Sequence, residues 1–211
     1  MSKIRFAKKK EKFLRCRTKS PRCQKKREDF ISAVEGKDPS HFIFIDESGA
    51  NLGMANDYGR AEGGERLKMP KPMDRGNSYS IIGAIGLCGI IGMLYGQIKV
   101  CGAAFLEFIK KELLSKIGRK HVIFLDNASI HKSDSIREVI EATGAKLVFL
   151  PPYSPELSPI ENMWSKMKST IRKLMPRDPE AFHNALVQAI SELSDNDFEE
   201  WYEHCGYDLK S

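Results

Sequence analysis

The chain has 211 residues, of which 41% are hydrophobic and 29% are charged, a balance typical of a folded domain of ordinary size. Its net charge of +6 is unevenly distributed. Residues 1–29 contain thirteen lysines and arginines against three acidic residues, so the remainder of the chain carries a net negative charge. The sequence therefore predicts a basic segment joined to a slightly acidic domain.

The cysteine and apolar patterns exclude several classes of protein. The five cysteines are scattered and form no C-x-x-C pair, so neither a structural zinc site nor a disulfide framework is indicated, and we expect a reduced, cytoplasmic protein. No charge occurs from Gly76 to Gln97, but five glycines interrupt this apolar stretch, whereas a membrane span needs about 20 apolar residues. Two strands joined by a tight turn explain the stretch better, and we expect no membrane partner.

Residues 1–38 form the first predicted unit, a basic arm or linker that ends in a short polar segment. Phe30, Ile31 and Val34 have helical spacing, so part of this unit is predicted to be helical. A block this basic favours contact with an anionic surface, although a solvated tail that only aids solubility is the alternative. Residues 39–211 form the second predicted unit, a folded domain.

Short apolar runs predict the strands of this domain. Four apolar residues precede Asp46 and four precede Asp126, which is typical of strands buried on both faces, and residues 146–150 form a third such run. Residues 79–98 predict a hairpin. Residues 49–77, which connect the first strand to the hairpin, are rich in glycine and basic residues and predict a long loop, and loops of this length are usually either functional or disordered.

Amphipathic periodicity and capping signals predict the helices. They are expected at residues 103–117, from Ser133 or Asp134 to Gly144, from Ser158 to about Leu174, after Asp178, and from about Asp197 to His204. The element order is strand, hairpin, helix, strand, helix, strand and then helices. This order predicts an α/β domain with a five-stranded mixed sheet, in which an antiparallel hairpin and parallel strands are flanked by helices.

Two acidic residues, Asp46 and Asp126, are predicted at the carboxyl ends of neighbouring strands. Ligands bind at this edge of an open α/β sheet, and adjacent strands lie about 5 Å apart. Two carboxylates this close repel each other unless a cation lies between them, and hard oxygen ligands favour Mg²⁺ or Mn²⁺. The alternative is that each aspartate caps the turn or helix that follows it.

A proline-rich block, Leu-Pro-Pro-Tyr-Ser-Pro-Glu-Leu-Ser-Pro-Ile-Glu-Asn, begins at Leu150 and contains a third acidic candidate, Glu161. Ser158 and Glu161 have the spacing of a capping box, with Pro159 at the first helical position, so Glu161 also has a purely structural interpretation. The two roles are compatible, because the first turn of the helix can face the strand ends. Glu156, in the same block, is a lesser rival for the third acid.

Three segments together resemble an IS630-type transposase, a group that belongs with the Tc1/mariner superfamily of DDE recombinases. They are Phe-Ile-Asp-Glu-Ser-Gly around Asp46, Leu-Asp-Asn-Ala-Ser-Ile-His around Asp126, and the proline-rich block with Glu161. Thirty-four residues separate Asp126 from Glu161, which is the spacing that the group is named for. The resemblance covers about residues 40–210.

The resemblance implies an RNase H-like fold and a DDE endonuclease and strand transferase. Asp46 and Asp126 would bridge two Mg²⁺ or Mn²⁺ ions, and Glu161 would complete the second metal site. The enzyme would cut DNA at the transposon ends, and the freed 3′-hydroxyl would attack target DNA, typically at TA, by two-metal phosphoryl transfer. The alternatives are a catalytically inactive DNA-binding remnant or accessory subunit, and another RNase H-like nuclease.

The partner that the resemblance implies is double-stranded DNA, bound by a homodimer on the nucleoid. The family normally has N-terminal helix-turn-helix units, which residues 1–38 do not resemble, so recognition of the transposon ends is left to a separate helix-turn-helix polypeptide or is absent. Further candidates for DNA contact are Arg66, Lys68, Asn127, His131, Lys168 and Arg172. For Asn127 and His131, the alternative is that they hold Asp126 in place.

Overall fold

A mixed β-sheet forms the centre of the protein. The computed structural model describes residues 21–55 and 76–209. Within these ranges the strands are β1 (Phe42–Asn51), β2 (Ser78–Gly86), β3 (Gly89–Gly96), β4 (Val122–Leu125) and β5 (Lys146–Phe149). They lie in the order β3-β2-β1-β4-β5; β1, β2 and β3 are antiparallel, and β1, β4 and β5 are parallel. The predicted five-stranded mixed sheet is therefore confirmed.

Helices flank this sheet. In the described ranges they are α1 (Pro21–Val34), α2 (Gly102–Phe108), α3 (Asp134–Glu141), α4 (Pro159–Leu174), α5 (Pro179–Ser191) and α6 (Asp195–His204). A π-helical turn continues α2, and short 3-10 turns cover Pro39–His41, Ser129–Lys132 and Pro155–Leu157. The helices predicted after residue 100 are all found. Of the described helices, none is long and apolar enough to cross a membrane.

Alternating side chains of β1 build a hydrophobic layer on each face of the sheet. Phe42 and Phe44 belong to one layer, which also contains buried residues of α1, α4, α5 and α6. Ile43 and Ile45 belong to the other, which contains buried residues of α2 and α3. Because both faces are covered, this part of β1 has to be apolar at every position, and it therefore appears in the sequence as a continuous apolar run.

Helix α1 lies inside the predicted basic arm and packs against the sheet. Phe30 and Val34 are buried in the first hydrophobic layer, and the Phe30 ring meets the Phe124 ring edge-to-face at 5.7 Å between centroids. The helical spacing of these residues therefore reflects a helix that covers the core. The unit boundary at residue 38 stays a prediction.

Strand β1 extends beyond its predicted end. Its parallel pairing with β4 stops at Phe44, opposite Phe124, but its antiparallel pairing with β2 continues as far as Asn51. The prediction that Asp46 ends its strand is therefore wrong, because partner strand β2 supplies hydrogen bonds to a polar and glycine-containing segment that has little strand propensity of its own. Residues 49–51 of the predicted loop therefore belong to β1, and residues 56–75 of it lie outside the described residues.

Candidate active site

Three carboxylates line one open pocket at the carboxyl edge of the parallel strands. Asp46 comes from β1, Asp126 directly follows β4, and Glu161 lies in the first turn of α4. The pocket has a volume of about 450 Å³, and the segment 150–155 forms one of its walls. The fold thus brings together the three acidic residues that were singled out in the sequence.

Asp46 is held by a tryptophan from α4. The Trp164 indole Nε1 donates a hydrogen bond to Asp46 Oδ2 at 3.1 Å, and the indole is 3% exposed. Gly83 of β2 lies directly opposite Asp46, and a Cβ atom at Gly83 would come within 2.7 Å of Trp164 Cη2. The absence of a side chain at Gly83 therefore gives the indole the room it needs to reach the carboxylate.

The pKa of Asp46 is raised to about 7. Burial contributes most, because it removes water that would stabilise the charged form, and the negative charge of Glu161 adds to the rise. The hydrogen bonds from the Glu47 backbone and from Trp164 only partly oppose these effects. Asp46 is therefore a carboxylate whose ionisation at neutral pH would be favoured by a nearby cation.

Asp126 is in a different electrostatic environment. Its Oδ1 accepts hydrogen bonds from the Ala128 backbone N–H at 2.8 Å and from His131 Nδ1 at 2.7 Å. The hydrogen bond to His131 is the main reason that the pKa of Asp126 lies below its usual value. Its side chain is 52% exposed, so this ionised carboxylate remains open to the pocket.

His131 is fully buried and joins two carboxylates. Its Nδ1 contacts Asp126, and its Nε2 contacts Glu47 Oε1 at 2.8 Å. Burial alone would lower the pKa of His131, but the hydrogen bonds and charges of the two carboxylates outweigh it and raise the pKa to about 9. The imidazolium can then donate to both carboxylates, and neither ring nitrogen remains for the DNA phosphate contact that was considered from the sequence.

Glu47 is a residue of this site that the sequence reasoning missed. Because successive side chains of β1 point to opposite faces of the sheet, Glu47 lies on the face opposite Asp46. On that face His131 packs against Phe105, with 4.4 Å between ring centroids. The sequence contains a signal that could have identified Glu47, namely that it is adjacent to Asp46. Two adjacent acidic residues on one strand must point to opposite faces of the sheet, so Glu47 needs a separate partner on the second face.

Asn127 ties together the loops that follow two parallel strands. Its side-chain amide donates a hydrogen bond to the backbone carbonyl of Leu150, and both residues line the pocket. This bond fixes the start of the proline-rich block relative to the end of β4.

The capping box that was the structural alternative for Glu161 is not formed. Among the described residues, the Ser158 side chain forms no capping hydrogen bond, and the Glu161 backbone N–H instead contacts the Ser158 carbonyl at 3.2 Å. The Glu161 side chain is thus left for the pocket. Glu156 does not line the pocket: it forms an ion pair at 2.8 Å with Arg27 of α1, which also donates to Ser154 Oγ at 2.8 Å.

Two of the other predicted DNA contacts, Lys168 and Arg172, do not line the pocket. Lys168 and Arg172 follow Glu161 along α4 by seven and eleven residues, which is about 10 and 16 Å at the rise of an α-helix. Arg66 and Lys68 lie outside the described residues. Contact of these four side chains with DNA stays a prediction.

The donor set of the pocket fits a hard divalent cation. Among residues 21–55 and 76–209, no three histidine, cysteine or acidic side chains cluster tightly enough to hold a metal ion by themselves. Mg²⁺, however, usually binds through one or two carboxylates and completes its shell with waters and substrate phosphate oxygens. Asp46, Asp126 and Glu161 offer such carboxylates, and the mutual repulsion of Asp46 and Glu161 would be relieved by a cation.

Comparison with known proteins assigns the family of the chain. The family model described as "DDE superfamily endonuclease" matches residues 41–183, which is more than half of the chain. The chain therefore belongs to the DDE superfamily of endonucleases.

Among solved structures, the chain is similar to the Mos1 transposase paired-end complex with left transposon end, with a TM-score of 0.70, 17% identity, and coverage of 97% of this chain and 68% of that one. It is also similar to the catalytic domain of Mos1 mariner transposase, with a TM-score of 0.68, 14% identity, and coverage of 92% and 91%. The fold is thus that of a Tc1/mariner-type transposase catalytic domain, and the predicted RNase H-like fold is confirmed.

A curated relative, the uncharacterized protein y4pE/y4sA of Sinorhizobium fredii (strain NBRC 101917 / NGR234), is 39% identical over 64 residues. That match covers 28% of this chain and 45% of the relative, so it spans less than half of the relative's length. The family model identifies the chain as a DDE superfamily endonuclease, and the solved structures show that its fold is that of a transposase catalytic domain. Membership of the IS630 group stays a prediction.

The close approach of Trp164 to β2 predicts a specific sensitivity at Gly83. Gly83→Ala should lower the free energy of unfolding by about 1–3 kcal/mol, because the added methyl group forces the indole out of its position. Gly49→Ala on β1 is the matched control, since a Cβ there meets no atom within 4 Å, and its effect should stay below about 0.5 kcal/mol. Urea unfolding measures both; equal losses in the two variants would contradict the packing role of Gly83.

The raised pKa of Asp46 predicts a pH-dependent gain in stability for Asp46→Asn. In metal-free buffer at pH 8, ionised Asp46 destabilises the folded protein, so the variant should be more stable by about 2–4 kcal/mol. The difference should shrink as the pH falls below 7 and disappear below about pH 3, where Asp46 is protonated in both states. Urea unfolding across this pH range measures it.

Asp126→Asn is the control for this experiment. Because His131 lowers the pKa of Asp126, its ionised form stabilises the fold, and the variant should be less stable than the unsubstituted protein at pH 7. If both substitutions shifted stability in the same direction at pH 8, the assigned electrostatic difference between the two aspartates would be incorrect.

Proposed function

We propose that this chain is the catalytic domain of a DNA transposase that cuts DNA at transposon ends and joins the resulting 3′ ends to target DNA. The observation that carries the proposal is the meeting of Asp46, Asp126 and Glu161 at one open pocket in a chain of the DDE endonuclease family. Double-stranded DNA is the proposed substrate because a similar fold occurs in a transposase complex with a transposon end.

Endonucleases of this family depend on divalent metal ions. When bound, two Mg²⁺ or Mn²⁺ ions would activate the attacking oxygen and stabilise the leaving oxygen of an in-line phosphoryl transfer. Asp46 and Asp126 are the proposed shared ligands, and Glu161 is the proposed further ligand. The chemistry needs no covalent intermediate with the protein.

The residues around these ligands have distinct proposed tasks. His131 orients Asp126 through Nδ1 and keeps its Oδ1 side occupied, so that the other carboxylate oxygen faces the pocket. Trp164 does the same for Asp46 through Oδ2. Asn127 and the proline-rich block form the wall against which the DNA backbone would lie. Such supporting contacts restrict the ligands to a narrow range of geometries before DNA arrives.

Several finer features belong to the proposal. Insertion at TA sites, a homodimer on DNA, a separate helix-turn-helix polypeptide that recognises the ends, and location on the nucleoid follow from the resemblance to IS630-type transposases. The basic residues of the first 29 positions would add contacts with phosphates that do not depend on sequence.

Nicking of duplex DNA that carries the terminal repeats tests the proposal. The full chain with Mg²⁺ or Mn²⁺ should nick or join this DNA, and Asp46→Asn, Asp126→Asn and Glu161→Gln should each reduce the rate by about a thousandfold or more. Glu156→Gln is the matched control, because Glu156 lies in the same block outside the pocket lining, and its effect should stay within about threefold.

Two outcomes would contradict the proposal. Full activity of Glu161→Gln would remove Glu161 from the catalytic set. Absence of metal-dependent nicking by the intact chain, both alone and with an added helix-turn-helix partner, would favour a DNA-binding remnant without catalytic function.

A further inference from the structure

A second pocket lies at the opposite edge of the parallel strands. It has a volume of about 300 Å³ and is bounded by the residues that precede or begin β1, β4 and β5. Its basic lining residues are Lys37, His41, Arg119, Lys120, His121 and Lys146. We call it the basic pocket. The four residues of β4 separate His121 from Asp126, and these five residue-to-residue steps place the basic pocket about 17 Å from the active site.

The charges of the basic pocket are strongly unbalanced. Four basic side chains, Lys37, Arg119, Lys120 and Lys146, line the pocket together with one carboxylate, Asp38. That carboxylate is already engaged, because Asp38 Oδ1 accepts a hydrogen bond from the Ser40 backbone N–H at 2.9 Å and caps the 3-10 turn before β1. The pocket thus carries an excess of positive charge within a small volume.

Lys37 is the most unusual member of this set. Its Nζ is buried and, within the described part of the chain, has no hydrogen-bond partner. Burial and the neighbouring Lys146 ammonium both lower the pKa of Lys37. A buried ammonium without an acceptor and beside another ammonium is unfavourable, and a bound anion would remove both penalties.

The basic pocket is also held in shape by its surroundings. His121 Nδ1 accepts a hydrogen bond from the Gly118 backbone N–H at 2.9 Å, so its other ring nitrogen is the donor. The stem of Arg119 packs on Gly144, where a Cβ atom would come within 2.5 Å of Arg119 Cγ, and Gly144 has a φ of +83°. The donors are therefore positioned before any ligand arrives.

We propose that the basic pocket binds a phosphate group, with Lys37 and Lys146 as its central ligands. Several donors from three strand ends suit the tetrahedral oxygens of phosphate, and lysine binds phosphate as a point charge. The proposed source of this phosphate group is the backbone of DNA, and this assignment rests on the proposed function. Free phosphate is the other source of the same chemistry. DNA bound here would contact the domain at both edges of the sheet.

Thermal unfolding of the full chain with inorganic phosphate tests the pocket without DNA. At equal ionic strength, phosphate in place of chloride should raise the unfolding temperature of the unsubstituted chain by about 3–6 °C. The double variant Lys37→Met, Lys146→Gln should lose this response, and Lys110→Gln, which removes an exposed lysine elsewhere, should keep it. In chloride alone, the single variant Lys37→Met should unfold at the same or a higher temperature, which also verifies folding.

Binding of a short DNA duplex, measured by fluorescence anisotropy over a salt series without metal, distinguishes the sources. If DNA supplies the phosphate, the double variant should bind about three- to tenfold more weakly, with a salt slope smaller by about 0.9 for each phosphate that the variant no longer neutralises. A lost phosphate response with unchanged DNA binding would support the pocket and assign free phosphate as its source. No difference between the double variant and Lys110→Gln in either measurement would overturn the proposal.

Nicking by the unsubstituted chain, measured on the same preparations, reports separately on the proposed function. A chain that does not nick DNA, either alone or with an added helix-turn-helix partner, but responds to phosphate through Lys37 and Lys146 would overturn the function and support the pocket.

Discussion

Repulsion between carboxylates at one edge of the sheet is the constraint on which this site depends. The parallel strands and the first turn of α4 bring Asp46, Asp126 and Glu161 to a single pocket, and Glu47 follows Asp46 on β1. Burial of a carboxylate is unfavourable, and burial together with the nearby charge of Glu161 raises the pKa of Asp46 to about 7. The fold nevertheless holds these side chains together, so the surrounding residues have to balance their charge.

Two different arrangements provide this balance. On one face of β1, the buried imidazolium of His131 neutralises part of the charge of Glu47 and Asp126 and fixes the orientation of both. On the other face, Asp46 receives neutral hydrogen bonds from Trp164 and from the Glu47 backbone, and it lies near Glu161. The protein therefore leaves an excess of negative charge in the open pocket, where a divalent cation would supply the missing counter-charge. This difference in surroundings accounts for the lowered pKa of Asp126 and contributes to the raised pKa of Asp46.

The sequence predicted those features that depend on local pattern. Continuous apolar runs located the parallel strands, and the proline-rich block located α4 with Glu161 in its first turn. The contacts that orient the carboxylates depend on tertiary packing, so they could not be predicted from local patterns in a single sequence. The length of β1 beyond Asp46 depends on pairing with β2, and the Trp164 hydrogen bond depends on the gap at Gly83. Ser158 and Glu161 have the spacing of a capping box, but the Ser158 side chain forms no capping hydrogen bond, so this local pattern did not indicate the observed contacts.

The most direct test of the central claim is Mn²⁺ binding to the full chain, followed by electron paramagnetic resonance between pH 6 and 8.5. Binding should weaken as the pH falls below about 7, because protons then compete for Asp46. Asp46→Asn should bind Mn²⁺ at least about tenfold more weakly at pH 8, whereas Glu156→Gln should bind it as the unsubstituted chain does. Equal affinity of Asp46→Asn and the unsubstituted chain at pH 8 would show that the carboxylate edge does not hold the metal.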